Sequence, residues 1–482
     1  MKLIIRWWSG ILLLAAITLY IGYFSYFSIL RYQTLYASYY DLGIMHQTVF
    51  NTYKSIQTLD PSRFLELTNP LGADQIKRTA IHNDIFLAFM APLYFIHSGP
   101  ETLLIAQTIV LALGALAVYK IVLYEFGKNN YRYRRLLAFI FSLAYLLFTP
   151  MERANIFDFH AVTLSTSFLL WMFYFWLVKK YRASFLLFLL SLLTKEQIGL
   201  TTVIFGAYTL YYSFKKQKKL SFLKKYWFGS IIIFVSIVWS LLSFLFIIPY
   251  FRGNHHFAFN FYSDFGDSPI SIIAGFFKKP ATLIRYIFRT ETYRYFLFIL
   301  GPLGFLAILS PSLLIAAPEF AINLLSNNGN MQNIIYHYTA VIQPFVFIAS
   351  IFGAYKIITR AENAREAGKR TLIISIIIFV CSLVFAYAKG PLPLAWEQEI
   401  HPLKYPQKEA PEASLWASAL KSEKLKVSST GQLAPFFTAR QYFYLFSDRY
   451  VNADYVVLRL NEIYDYPEKN VLIPVYEQLK KK

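Results

Sequence analysis

The sequence predicts an all-α polytopic membrane protein of about eleven transmembrane helices, with a large first loop carrying interfacial helices and a small C-terminal α/β soluble domain. Three observations lead there. Apolar runs such as Gly10–Leu30 and Ser230–Tyr250 are long enough to cross a hydrocarbon core of about 30 Å. Ionisable residues gather at the ends of those runs, and hydrophobic residues make up 56% of the chain against 15% charged. Beyond Lys389 the composition turns to that of a soluble segment. The expected division is 1–388 for the membrane domain and 389–482 for the second domain.

The first apolar run follows Met1–Arg6 and lacks a small-residue cleavage site, so it reads as a retained helix rather than a signal peptide. Further spans are expected at 101–124, 136–151, 160–178, 183–195, 198–213, 227–250, 293–309, 311–326, 338–356 and 371–388. The segment Ile85–Ile96 is apolar but short and carries Pro92, which suits an interfacial or re-entrant helix. Its parity decides the topology. If it does not cross, the N-terminus, Lys120–Arg135, Lys179–Arg182, Lys215–Lys225 and Lys356–Arg370 all face the cytoplasm with 21 Lys/Arg, as the positive-inside rule requires. The C-terminus is then extracytoplasmic and the protein a multi-pass component of the cell membrane. No internal repeat is evident.

The net charge of +20 needs no nucleic acid to explain it. The tail from Lys389 holds 13 Lys/Arg and 11 Asp/Glu, so +18 belongs to the membrane part and follows from topology. Cys381 is the single cysteine, which excludes an intrachain disulfide. In the tail, a helix is expected near Pro411–Ser422, with strands at Lys426–Ser429, Gln441–Phe446 and Asp454–Leu460.

On this topology five polar clusters open on the outer side: Tyr39–Gly43, His82–Asp84, Asp158–His160, Lys195–Glu196 and Tyr336–Tyr338. So do His46, His82, His160, His255, His256, His337 and His401, seven of the eight histidines. Ionisable groups held at a membrane commonly mark a substrate path. Asp41 can act as a general base, or equally as an N-cap for the residues after it. Asp158 and His160 can orient a metal or phosphate, or cap the next helix. His82 and Asp84 are weaker candidates, with Asp84 again a potential cap. Lys195 can clamp a phosphate with Glu196 orienting it, although a buried ion pair is the competing explanation. His337 can donate to a phosphate oxygen. Lys278, Lys279, Arg285, Arg289 and Arg294 alternate with aromatics, which suits an amphipathic helix at anionic headgroups. No P-loop, dinucleotide fingerprint or zinc-ligand spacing appears.

The stretches Tyr40–Gln47, His82 with Ala91–Tyr94, Gln107 with Leu111–Ala115, Phe157–Ala161, Lys195–Glu196, Leu309–Tyr338 and Gln432–Pro435 resemble, in that order, a family of prokaryotic membrane proteins known as a domain of unknown function. That family in turn resembles the C-type (GT-C) glycosyltransferases, polytopic enzymes that take sugars from polyprenyl-phosphate donors. The resemblance implies that Asp41 stands where the first acidic residue belongs and Asp158 where the second does. It also implies sugar transfer at the outer face from a polyprenyl-phosphate-linked donor to a glycan, lipid or protein acceptor, with Asp41, Asp158 and His160 catalytic. Tyr40, His82, Asp84, Lys195, Glu196 and His337 then contact substrate or its phosphate. The chain departs from the family's paired acids, since Leu42-Gly43 follow Asp41 and His160 replaces a second acid. A divalent metal, Mg or Mn, stays open, with Asp41, Asp158 and His160 as its expected ligands. A transporter or lipid flippase without bond-making chemistry is the alternative reading.

Overall fold

A computed structural model describes residues 2–128, 131–216, 222–396, 407–465 and 469–481. Two features used above, residues 217–221 of the basic loop and His401, lie outside the described residues. The chain is mostly helical. Among the described residues, four helices are long and apolar enough to cross a membrane: Trp8–Gln33, Glu101–Gly127, Tyr226–Arg252 and Ala364–Lys389. Arg134–Leu146 and Thr149–Ile156 make a fifth if the 41° bend between them lies within one crossing. The expected span 198–213 is one unbroken helix, Ile198–Lys216, and the rest are shorter or broken. Ala161–Leu177, Tyr181–Leu192 and Gln343–Ile358 are short apolar helices. The region expected as 293–309 is a helix over Thr290–Leu300 followed by 3-10 turns, and 311–326 begins as 3-10 helix. Pro302 lies at the first of these breaks and Pro318 at the change from 3-10 to α-helix in the second, because proline cannot continue a helix interior.

At the centre, Glu101–Gly127, Arg134–Leu146, Ala161–Leu177 and Gln343–Ile358 pack around wholly buried Val118, Phe141, Phe173 and Phe347. Small residues permit close approach. A Cβ added at Gly353 would lie 2.1 Å from the Leu306 carbonyl oxygen, and one at Gly114 would lie 2.2 Å from the Tyr145 hydroxyl.

The first loop begins with a π-helical turn, Tyr39–Gly43, which runs into the helix Ile44–Thr58. A hairpin follows, β1 (Glu66–Thr68) antiparallel to β2 (Gln75–Lys77), with Leu67 opposite Ile76. Within the short apolar segment, helix Leu87–Met90 passes into a 3-10 turn, Ala91–Phe95. At 1.5–2.0 Å per residue these span roughly 15 Å, about half a hydrocarbon core.

In the tail, β3 (Val427–Ser429) lies between β4 (Phe443–Leu445) and β5 (Tyr455–Val457), both parallel to it. The helix Ala410–Ala419 precedes them. These elements fall within the sequence expectations, except that the strands are shorter. The sheet shares one apolar core with the first loop: Leu35, Tyr39, Ile44 and Leu67 pack with Val427, Phe437 and Phe443. Burying a side chain the size of Phe437 or Phe443 stabilises by about 1.5–3 kcal/mol, so the contact is an integral one.

Candidate active site

Asp41 sits in the middle of the π turn, not at a helix N-cap. The wide turn is closed by Gly43 N–H donating to the Ser38 carbonyl at 3.0 Å. A Cβ at Gly43 would meet the Tyr39 ring at 3.0 Å, so a small residue suits this position. π turns recur at functional sites because they re-aim one side chain. Here the turn presents the Asp41 carboxylate, a quarter exposed, to His160: Oδ1 lies 2.9 Å from Nε2. Its Oδ2 accepts from the Ser38 hydroxyl at 3.2 Å. Tyr40 beside it is exposed and packs edge-on against Tyr39.

Gln107 builds the opposite wall. Its Nε2 donates to the carbonyls of Asn155 and Asp158 at 3.1 and 3.0 Å, while its Oε1 accepts from His160 N–H at 3.0 Å. These bonds hold Asp158 at φ +149°, a region that a side-chain-bearing residue occupies at a cost of about 1–3 kcal/mol. The Asp158 side chain turns back to accept from Ser38 N–H at 3.1 Å. Burial, together with the charge of Asp41, pushes its carboxyl well above the ordinary range, against the pull of Arg31. Asp41, Asp158 and His160 therefore form an acid–imidazole dyad beside a separately held acid; they do not converge as three metal ligands among the described residues.

His160 stacks on His337 with ring centres 3.9 Å apart, and His337 lies against Tyr338 at 4.4 Å. Nδ1 of both histidines is buried without a hydrogen-bond partner. Burial, then the neighbouring His160 and Lys195, hold His337 well below the usual imidazole range, so it is neutral. Lys195 stands with Nζ 5.6 Å from the centre of the Tyr338 ring. Asp41, His160, His337, Tyr338 and Lys195 thus form one continuous run of contacts. Lys195 is only 8% exposed, yet no carboxylate lies within ion-pairing distance of it among the described residues. The buried carboxyl groups of Glu196, Glu319 and Asp84 act on it from farther off, so its surroundings are acidic but hold no direct ion pair.

Glu196 points elsewhere. Its Oε1 accepts from His82 Nδ1 at 2.8 Å and from His256 Nε2 at 3.0 Å, and Oε2 from Asn83 N–H at 3.0 Å. Burial opposes its charge, but the two imidazoles and these bonds hold the carboxyl well below the ordinary range. His82 and Glu196 therefore belong to one group, next to Lys195 in the chain. Asp84 is not turned toward either group: both its oxygens take the Arg78 guanidinium at 2.7–3.0 Å. Several participants carried no assigned role in the sequence reading, among them Gln107, Tyr338, Arg78 and His256. For His256 the only signal was a pair of adjacent histidines just before an aromatic run.

The sequence profile of one family, described as "Predicted membrane protein (DUF2079)", matches residues 31–471. The chain belongs to that family. No curated protein matches it. Among solved structures it is similar to ArnT from Cupriavidus metallidurans bound to undecaprenyl phosphate, with 12% identity, TM-score 0.47, and coverage of 92% of this chain and 87% of that one. It is also similar to the Archaeoglobus fulgidus oligosaccharyltransferase tethered with an acceptor peptide, at 11% identity and TM-score 0.42, covering 99% and 69% of the two chains. The archaeal oligosaccharyltransferase AglB from Archaeoglobus fulgidus, in complex with an inhibitory peptide and a dolichol-phosphate, gives the same identity, TM-score and coverage.

Proposed function

We propose that the protein is an integral-membrane glycosyltransferase that moves a sugar from a polyprenyl-phosphate donor to an acceptor hydroxyl. The observation that carries this reading is Lys195, a buried amine with no carboxylate in direct contact among the described residues, joined through Tyr338 and His337 to the Asp41–His160 dyad. A buried charge with no directly bonded partner is costly, and an anion in contact with it lowers that cost. A phosphate diester does so, and its lipid tail belongs to the same apolar surroundings.

In this mechanism the acceptor oxygen attacks the anomeric carbon, and the bond between that carbon and the phosphate oxygen breaks. Asp41 accepts the hydroxyl proton, oriented by His160. Lys195 balances the charge that builds on the departing lipid phosphate. His337 and Tyr338 line the passage between base and cation, while Asp158 braces the Asp41 turn through Ser38 N–H. Inversion at the anomeric carbon is what the GT-C resemblance implies. The membrane body is 1–388, with the shorter apolar helices completing about eleven crossings, and 389–482 forms an extracytoplasmic module over the site.

The test is a profile of lipid-linked sugars in host cells carrying the wild-type chain or Asp41→Asn at matched membrane levels. Accumulation of one polyprenyl-phosphate sugar in the variant, with loss of the matching surface sugar, supports transfer. Identical profiles in a host without a redundant enzyme move the reading to transport.

A further inference from the structure

His82, Glu196 and His256 reach one point from three separate segments. His82 comes from the first loop, Glu196 from the turn between Tyr181–Leu192 and Ile198–Lys216, and His256 from the residue that caps the 3-10 turn Phe257–Tyr262. One donor atom from each lies within 4.8 Å of the other two. Glu196 and His256 side chains are 2% exposed and His82 21%, so the group is closed on two sides and open on the third. We propose that His82 Nδ1, a Glu196 carboxylate oxygen and His256 Nε2 form a binding site for a zinc-class transition-metal dication.

The donor set selects the ion. Two imidazole nitrogens and one carboxylate suit zinc or cobalt, whereas magnesium takes six oxygens and keeps its waters. Three protein ligands leave a fourth position on the open His82 side for water or a substrate oxygen. The surroundings orient the carboxylate: Asn83 N–H fixes Oε2, and Asn83 Nδ2 is itself held by the Ser243 hydroxyl at 2.8 Å.

The protons can be followed. His256 Nδ1 accepts Ala258 N–H at 3.0 Å, so its own proton sits on Nε2 and points at Glu196. Metal binding moves that proton to Nδ1, which breaks the Ala258 hydrogen bond and turns two N–H groups toward each other, so the loop at Ala258 must shift and the metal–nitrogen bond must exceed that cost. His82 likewise shifts its proton from Nδ1 to Nε2, on its open edge. The ion's charge is then set against Glu196. Such an ion pins three segments together immediately beside Lys195. The proposal stands independently of sugar transfer.

The experiment uses the full chain in detergent, stripped by chelator, with Co2+ as the optical probe and Zn2+ by calorimetry. Wild type is expected to bind one equivalent of Co2+, with the visible absorption of a four- or five-coordinate nitrogen–oxygen site. Zn2+ displaces it and a large excess of Mg2+ does not. Glu196→Gln and His256→Ala should each weaken Zn2+ binding by more than the roughly 10–100-fold that losing an outer-sphere partner costs. His255→Ala, next in the chain but outside the group, should leave it unchanged. Absence of saturable Co2+ binding by wild type overturns the proposal and leaves a purely hydrogen-bonded trio. So does Zn2+ binding that survives the double variant, or displacement by Mg2+. The wild-type measurements decide even if a variant fails to fold.

Discussion

Gln107 grips the chain on both sides of Phe159: its amide nitrogen donates to the Asp158 carbonyl and its amide oxygen accepts from His160 N–H. One side chain thus sets both the strained backbone at Asp158 and the placement of the imidazole facing Asp41. Gln107→Leu is isosteric enough to fit but leaves buried backbone groups unpaired, each costing about 1–3 kcal/mol. The expected result is a lowered thermal midpoint and loss of the sugar-transfer phenotype together. An unchanged midpoint would show that the loop holds itself.

Arg78 and Asp84 are both buried and bonded through two guanidinium nitrogens. Arg78→Met strands a buried carboxylate and should destabilise by about 3–5 kcal/mol. Removing both charges in Arg78→Met/Asp84→Leu should restore much of that loss. Additive behaviour of the two changes in chemical denaturation would contradict a coupled pair.

Gly353 offers a test of helix packing. Its α-hydrogen faces the Leu306 carbonyl where a Cβ has no room, whereas nothing lies within 4 Å of a Cβ at Gly329. Gly353→Ala should cost about 1–3 kcal/mol, and Gly329→Ala should be near neutral. Equal midpoints for both variants would refute the close approach of these segments.

His46 ties the first loop to the tail. Its Nε2–H donates to the Ser98 carbonyl at 3.1 Å and its Nδ1 accepts from the Thr438 hydroxyl at 2.9 Å. Burial lowers its pKa to about 4, while the unfolded chain retains the ordinary value near 6.5. Between those values the unfolded state binds the extra proton. Stability is therefore full above about pH 6.5 and falls as pH drops toward 4, by about 3 kcal/mol in all. His46→Gln should flatten that part of the midpoint-against-pH curve. A slope identical to wild type would remove His46 as its source.

Lys195→Met should weaken binding of a long-chain polyprenyl phosphate by about 1.5–3 kcal/mol, the range for a charge-assisted bond, while Lys195→Arg keeps most of it. Equal binding by wild type and Lys195→Met, measured in nanodiscs, argues against the anion site.

Much of this was readable because it is local. Alternation and β-branching marked the last tail strand, and the short, proline-bearing 85–96 segment was legible as too short for a comfortable crossing. The polar clusters were visible because charges are rare among apolar runs. What they touch was not visible. Asp84 finds its partner six residues earlier in the same loop, yet nothing in the spacing says that Arg78 turns inward. His256 meets His82 and Glu196 only through the path of three segments, so no ligand spacing appears along the chain. The spans at 293–309 and 311–326 misled because hydropathy counts apolar residues and overlooks the prolines that split them.

The Asp41 turn rests on residues near Phe443, while His46, five positions beyond Asp41, bonds Thr438 across 392 positions of sequence. Such a contact closes only after nearly all the intervening chain exists. During biosynthesis the membrane helices are in place before the carboxylate reaches its final setting. The packing around the Asp41 turn is thus completed last, and a nascent chain stalled before its tail lacks both the His46–Thr438 bond and the Tyr39–Phe443 contact.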